Sequence, residues 1–391
     1  MTYSSRRLAG ASVLVLTFAL VATSAAAGPR DQAKRIHDRL VGVPPSAAEL
    51  GAMETMVING DALGAALRAT DHPLFYSSAL KNFITPWTNE GQSVHAPLND
   101  YTATVIGIIR DDRPFTDVLT GDVVYVGGAG AASVAYSHTD NAHYEELEMS
   151  RVDLSDPAML VPMAQSALAD SQLMSADTAG VLTTRASGEA FLSGGTNRRM
   201  MRFTAMNYLC RDLEALNDTT RPADRIRQDV TRSPGGDSRI FHNTCVGCHS
   251  GMDPLISSFA YFEWDQDLQR TIYTPGIVQQ KYLINSGTFP FGYITVDDRW
   301  DNYWREGSNA VLGWRAAASG GNGPKSFGTE IAMSRAFSEC QVEKVWQHVC
   351  LAPPSDPTER AEVQRIADVF EAQNYSMKRV FAEVAVYCMG D

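Results

Sequence analysis

The feature that most constrains this 391-residue chain is the pentapeptide Cys245-Val246-Gly247-Cys248-His249. Written C-x-x-C-H, it is the pattern that attaches a c-type haem. On one helical turn two thiols three residues apart share a face, where each adds to a haem vinyl group, while the next residue offers an imidazole to the iron. The pattern predicts one covalent haem c, attached through Cys245 and Cys248, with His249 as the proximal iron ligand.

Other uses of a Cys-x-x-Cys pair match less well. A structural zinc site pairs two such half-sites, yet no second C-x-x-C exists and no H-x₃₋₅-H follows at finger spacing. A thioredoxin-type dithiol would sit near a βαβ pattern, and none is visible around Cys245.

Haem c is attached after export, and the N-terminus reads accordingly. Arg6 and Arg7 form a basic start, 8–21 is an apolar run, and Ala25-Ala26-Ala27 is a cleavage site, so 1–27 reads as a signal peptide cut after Ala27. Ser5-Arg6-Arg7 is only a fragment of a twin-arginine signal. The expected location is periplasmic or secreted. Nothing later in the sequence is long and apolar enough to span a bilayer.

Removing 1–27 takes away Arg6 and Arg7 and no acid, so the net charge of −12 becomes −14. Such a balance argues against nucleic acid or an anionic membrane surface as a partner and leaves redox proteins as the expected partners.

Four cysteines remain outside the pentapeptide: Cys210, Cys340, Cys350 and Cys388. In an oxidising compartment an even remainder implies two disulfides, with three possible pairings. Ten residues of helix would hold Cys340 and Cys350 about 15 Å apart, too far to bond. Apolar residues recur at helical spacing in 341–349, in 360–372 (Val363, Ile366, Ala367, Phe370) and in 377–388 (Met377, Val380, Phe381, Val384, Tyr387). If these run up, down and up, Cys350 and Cys388 end level. That favours Cys350 with Cys388 and leaves Cys210 for Cys340.

The expected fold class is mainly α, with few short strands and a cytochrome c-like haem-binding C-terminal half. Helices are predicted over 33–41, 47–57, 73–83, 99–110 and 197–216, with caps at Ser46, Asn99 and Thr196. Val123 to Val126 is the clearest strand, and 233–237 and 319–324 read as loops. The expected organisation is an N-terminal helical domain over 28–190 and a haem-binding domain with a C-terminal helical bundle over 191–391. Two segments imitate nucleotide loops. The one at 128–133 lacks the last Gly and a βαβ context, and the one at 321–326 places Pro324 before its Lys.

The stretch from Cys245 to Trp264, CVGCHSGMDPLISSFAYFEW, resembles the haem segment of planctomycete-type cytochrome c modules, a group of exported bacterial proteins. Weaker likenesses lie at Arg113 to Thr120, Gly180 to Thr184 and Phe337 to Cys340, so the resemblance runs in order over roughly 110–391. The extra cytochrome and carbohydrate-binding modules that many such proteins carry are absent here. The resemblance implies an electron-transfer haem c protein, with His249 as ligand and Cys245 and Cys248 as attachment points.

The sixth ligand separates a carrier from a catalyst: a Met or His there suits electron transfer, and an open position admits small ligands. Met333, in a stretch 327–340 that reads as helical, is the first candidate for the distal iron ligand, and His143 the second. Each also has an ordinary reading, Met333 as core filler and His143 as a surface or capping group. Met252 lies too close to His249 to reach the opposite haem face. The leading functional expectation is a monohaem c-type cytochrome that transfers electrons, with no catalytic residue assigned. The alternatives are a haem enzyme with an open distal site acting on a small molecule, and a haem-based sensor or assembly component.

Overall fold

The computed structural model describes residues 27–390. The expected signal peptide lies outside the described residues, Ala27 excepted. Helix α1 (Pro29–Val41) starts with Pro29, whose missing N–H is no loss in a first turn, and ends at Gly42, left-handed at φ 80°. In α2 (Ala47–Ile58) the Ser46 hydroxyl accepts the Glu49 N–H, and in α3 (Ala62–Ala69) the Asp61 carboxylate accepts that of Gly64. The helix predicted over 73–83 is present and runs unbroken over 73–84, with its middle, Phe75–Leu80, wound as a π-helical turn before Lys81–Ile84.

Helix α4 (Asp100–Arg110), capped by Asn99, is buried along its whole length and packs on an antiparallel ribbon of β1 (Val124–Gly127) and β2 (Leu160–Met163). Because β2 returns antiparallel, the glycines after β1 sit in a plain turn and not in a nucleotide-binding βαβ unit. Helix α5 (Ala142–Met149) packs on β1.

Helix α6 (Arg198–Tyr208) stops well short of 216, because Cys210 turns left-handed at φ 52° and enters a disulfide with Cys340, their Cα atoms 5.3 Å apart. Helix α7 (Val246–Ile256) carries the pentapeptide and is followed by the hairpin β3 (Phe262–Asp265) and β4 (Arg270–Tyr273). The stretch 319–324 is not a plain loop. It supplies strand β6 (Gly320–Asn322), paired with β5 (Arg299–Asp301), and runs directly into α8 (Gly323–Ala332) with Pro324 in its first turn.

Helix α9 (Arg335–Cys350), α10 (Pro357–Ala372) and α11 (Met377–Tyr387) pack on one another through the apolar faces that the periodicity predicts. Tyr387 departs from this: it is 40% exposed and lies against Trp346. The ends of α9 and α11 meet, and Cys350 is bonded to Cys388, Cα atoms 5.6 Å apart. Both disulfides follow the pairing read from the helix lengths.

The predicted boundary at 190/191 leaves no break in the hydrophobic core, which is continuous from Ala33 to Ala385. Helices α1 and α3 close over α11, and Phe381 takes Phe75 and Phe83 edge-on at 5.2 and 5.5 Å between ring centres. The N-terminal helices thus complete the C-terminal bundle and do not build a separate core. The fold is mainly helical, and among the described residues its strands form three two-stranded ribbons. Among the same residues no helix is long and apolar enough to cross a membrane.

Candidate functional site

Helix α7 is entered through a short turn, Ser238–Ile240, and a π-helical turn, Phe241–Cys245. Its two faces differ. On one, Gly247 and Gly251 leave out side chains so that neighbours touch the backbone: Asn217 packs over Gly247, whose carbonyl accepts the Asp218 N–H at 3.1 Å, and the Trp304 indole lies on Gly251. Ser250 donates to the Asp218 carbonyl at 3.3 Å. This side seats the helix.

The other side presents Cys245, Cys248 and His249, each partly exposed. Both thiols are free, whereas the other four cysteines are bonded in pairs. Cys248 donates to the Leu213 carbonyl at 3.3 Å. Its burial, with the Glu214 and Asp212 carboxylates nearby, pushes its thiol up, so it rests protonated.

His249 turns Nδ1 toward Oδ1 of Asp253, one helical turn on, at 3.2 Å. Burial alone would raise the fully buried Asp253 carboxyl. The Arg198 and Arg227 guanidinium groups, with His249, hold it well below the usual carboxylate range. Arg198 donates Nε and Nη2 to the two Asp253 oxygens at 2.7 and 2.9 Å, and its Nη1 and Nη2 reach Asp229 at 2.8 and 2.9 Å. Arg227 offers its backbone N–H to Asp253 at 3.4 Å, bonds Thr196 through Nη2, and lies 4.7 Å from the centre of the Tyr282 ring. With an ionised carboxylate at Nδ1, that nitrogen carries the proton and Nε2 keeps its lone pair for a metal.

Beside the thiols, Ile226, Phe241 and Val246 form a small apolar cluster that Val230 and Cys245 join. The Arg232 guanidinium sits between Phe241 and Phe289, 4.9 and 4.2 Å from their ring centres. The apolar strip continues to Phe291, 90% exposed, and Ile240 is 44% exposed at the entry to the helix.

The two distal candidates fare differently. The stretch 327–340 is not one helix: α8 ends at Ala332, and Ser334 caps α9 by accepting the Phe337 N–H at 3.1 Å, so Met333 stands at the corner between them, 38% exposed. It is not the core filler that its neighbours imply. His143 is buried, and both ring nitrogens are taken. Nε2 accepts the Gly127 N–H at 2.8 Å, and Nδ1 donates to the Val134 carbonyl at 2.6 Å. It therefore holds β1 to its flanking loop with no nitrogen free for iron. Met252 is buried in the main core.

Sequence reasoning missed Asp253, Arg198, Asp229 and Arg232. The four-residue step from His249 to Asp253 was a readable signal; the arginines arrive through long-range packing and had none. Among the described residues, no three His, Cys, Asp or Glu side chains converge as a metal-ligand set. Set against protein-family models, curated proteins and solved structures, the chain finds no match in any of the three.

Proposed function

We propose that this protein is an exported monohaem c-type cytochrome that transfers electrons. One observation carries the reading: of six cysteines only Cys245 and Cys248 are unpaired, and they share the accessible side of α7 with an imidazole whose other nitrogen is already engaged. Two thiols and one such His are the donor set that covalent haem attachment uses. The haem, when bound, supplies a one-electron iron couple.

The chain's own residues account for the rest. Nε2 of His249 is the iron ligand and Asp253 holds the ring in place. Phe241, Phe289 and Phe291 offer apolar cover against water, and Arg232 offers a cation to a propionate. Residues 1–27 direct export, with cleavage after Ala27, and the two disulfides are compatible with an oxidising compartment. The likeness of 245–264 to planctomycete-type cytochrome c modules supports the same reading, and redox proteins are the partners.

One observation favours a second reading, an open distal position in a haem enzyme or sensor: His143 has no nitrogen to give, which leaves Met333 as the remaining candidate. The test begins with haem staining of the denatured, exported protein. Colour must persist in the wild type and be lost when Cys245 and Cys248 are both changed to Ala; an unstained wild type ends the proposal. Rapid carbon monoxide binding by the ferrous protein selects the open-site reading. A sulfur-to-iron charge-transfer band that Met333→Ala abolishes selects the carrier.

A further inference from the structure

Nothing in the attachment pentapeptide requires a carboxylate behind the histidine. Here one lies there, fully buried, 3.2 Å from Nδ1 of His249 and on the same helix. A carboxylate that accepts the proton of a ligating imidazole raises the basicity of the nitrogen bound to the metal, and hydrogen bonding to an axial ligand is one of the protein's levers on a haem's reduction potential. The strength of that lever depends on how much charge the carboxylate keeps. Arg198 takes both Asp253 oxygens and is itself shared with Asp229, a second carboxylate that does not touch His249. The buried array therefore contains an acceptor for the histidine, a guanidinium that drains it, and a second anion that competes for the guanidinium.

We infer that Asp253 is a positioning residue that strengthens His249 as an electron donor to the iron and so favours the ferric state, with Arg198 setting how far. The inference rests on the haem reading and deepens it.

The experiment compares reduction potentials of haem-loaded wild type, Asp253→Asn and Asp229→Asn, together with the iron–histidine stretching band of the ferrous proteins. Asn at 253 keeps the shape but offers a neutral partner. The potential should shift to more positive values and the band to lower frequency. Asp229→Asn leaves the histidine contact intact and only frees Arg198 to draw further on Asp253, so both its potential shift and its band shift should be in the same direction as those of Asp253→Asn but clearly smaller. Equal shifts in the two variants, or none in Asp253→Asn, would overturn the inference, because through-space charge would then suffice. Should Asp253→Asn fail to fold, the wild type decides: the His249 Nδ1 proton should exchange slowly with solvent, and fast exchange overturns the contact. A wild type without covalent haem sinks the haem reading itself, an outcome seen on the gel before any potential is measured.

Discussion

The Trp304 indole rests directly on the backbone of Gly251, in the space a β-carbon would occupy. Trp304 is fully buried and has no room to retreat. Gly251→Ala should therefore destabilise the fold by about 1–3 kcal/mol from overpacking, only partly offset by the roughly 1 kcal/mol that Ala gains over Gly in a helix. Gly247→Ala meets chiefly the Asn217 side chain, which can swing aside, with the Asp218 backbone N only slightly tight at 3.1 Å, and should cost less. Chemical denaturation of the two variants checks the order, and an equal loss would contradict it.

The cysteine pattern makes a countable prediction. Protein produced without haem attachment and unfolded without reductant should take up label at two thiols, Cys245 and Cys248, and at six after reduction. In the native state Cys245 should react before Cys248, whose thiol is held protonated. The loops closed span 130 and 38 residues, so chain entropy alone predicts losses of about 5 kcal/mol for Cys210→Ser with Cys340→Ser and about 4 kcal/mol for the other pair. A larger loss from opening the shorter loop would show that native-state contacts dominate.

His143→Ala should leave the visible spectrum of the haem-loaded protein unchanged while lowering stability by about 1–3 kcal/mol, since the Gly127 N–H and the Val134 carbonyl lose their partner. A change in iron spin state in this variant would return His143 to the ligand set.

Lys344 lies with its ammonium 3.8 Å from the centre of the Trp87 ring, and burial pushes it down to about 7. In an unfolded chain it titrates near 10.4. Between those values the unfolded chain binds more protons than the folded one, so this group's contribution makes stability rise with pH from about 7 to about 10 and withdraws it as pH falls. Lys344→Met should be more stable than wild type at pH 7, with the difference shrinking by pH 9. Thermal midpoints at the two pH values measure it, and a gap that does not shrink would show that Lys344 is charged in the fold.

Some elements were legible because their signals are local. Ser46 and Asn99 cap the helices they were expected to open, and Val363, Ile366 and Phe370 face inward at helical spacing. The length of a ten-residue helical span ruled out Cys340 with Cys350, an up-down-up order of the last three helices brought Cys350 to Cys388, and Cys210 was left for Cys340. Other elements were not. Helix α6 ended at a left-handed Cys210 because Cys340, 130 residues away, claims that thiol. Strand β6 formed in a Gly-rich run because β5 supplied its partner. Helices α1 and α3 joined the C-terminal bundle because neither could bury its apolar face alone.

At the site the division is the same. The sequence alone determined that Cys245, Cys248, His249 and Asp253 share a side of one helix, because steps of three and four residues are properties of the helical backbone. Tertiary structure decided the rest: it paired off every competing cysteine, set Arg198 and Asp229 behind Asp253, and committed both nitrogens of His143 to the backbone around β1. Those partners come from segments tens to hundreds of residues away, and only burial of the shared core, which no local spacing encodes, brings them within bonding distance.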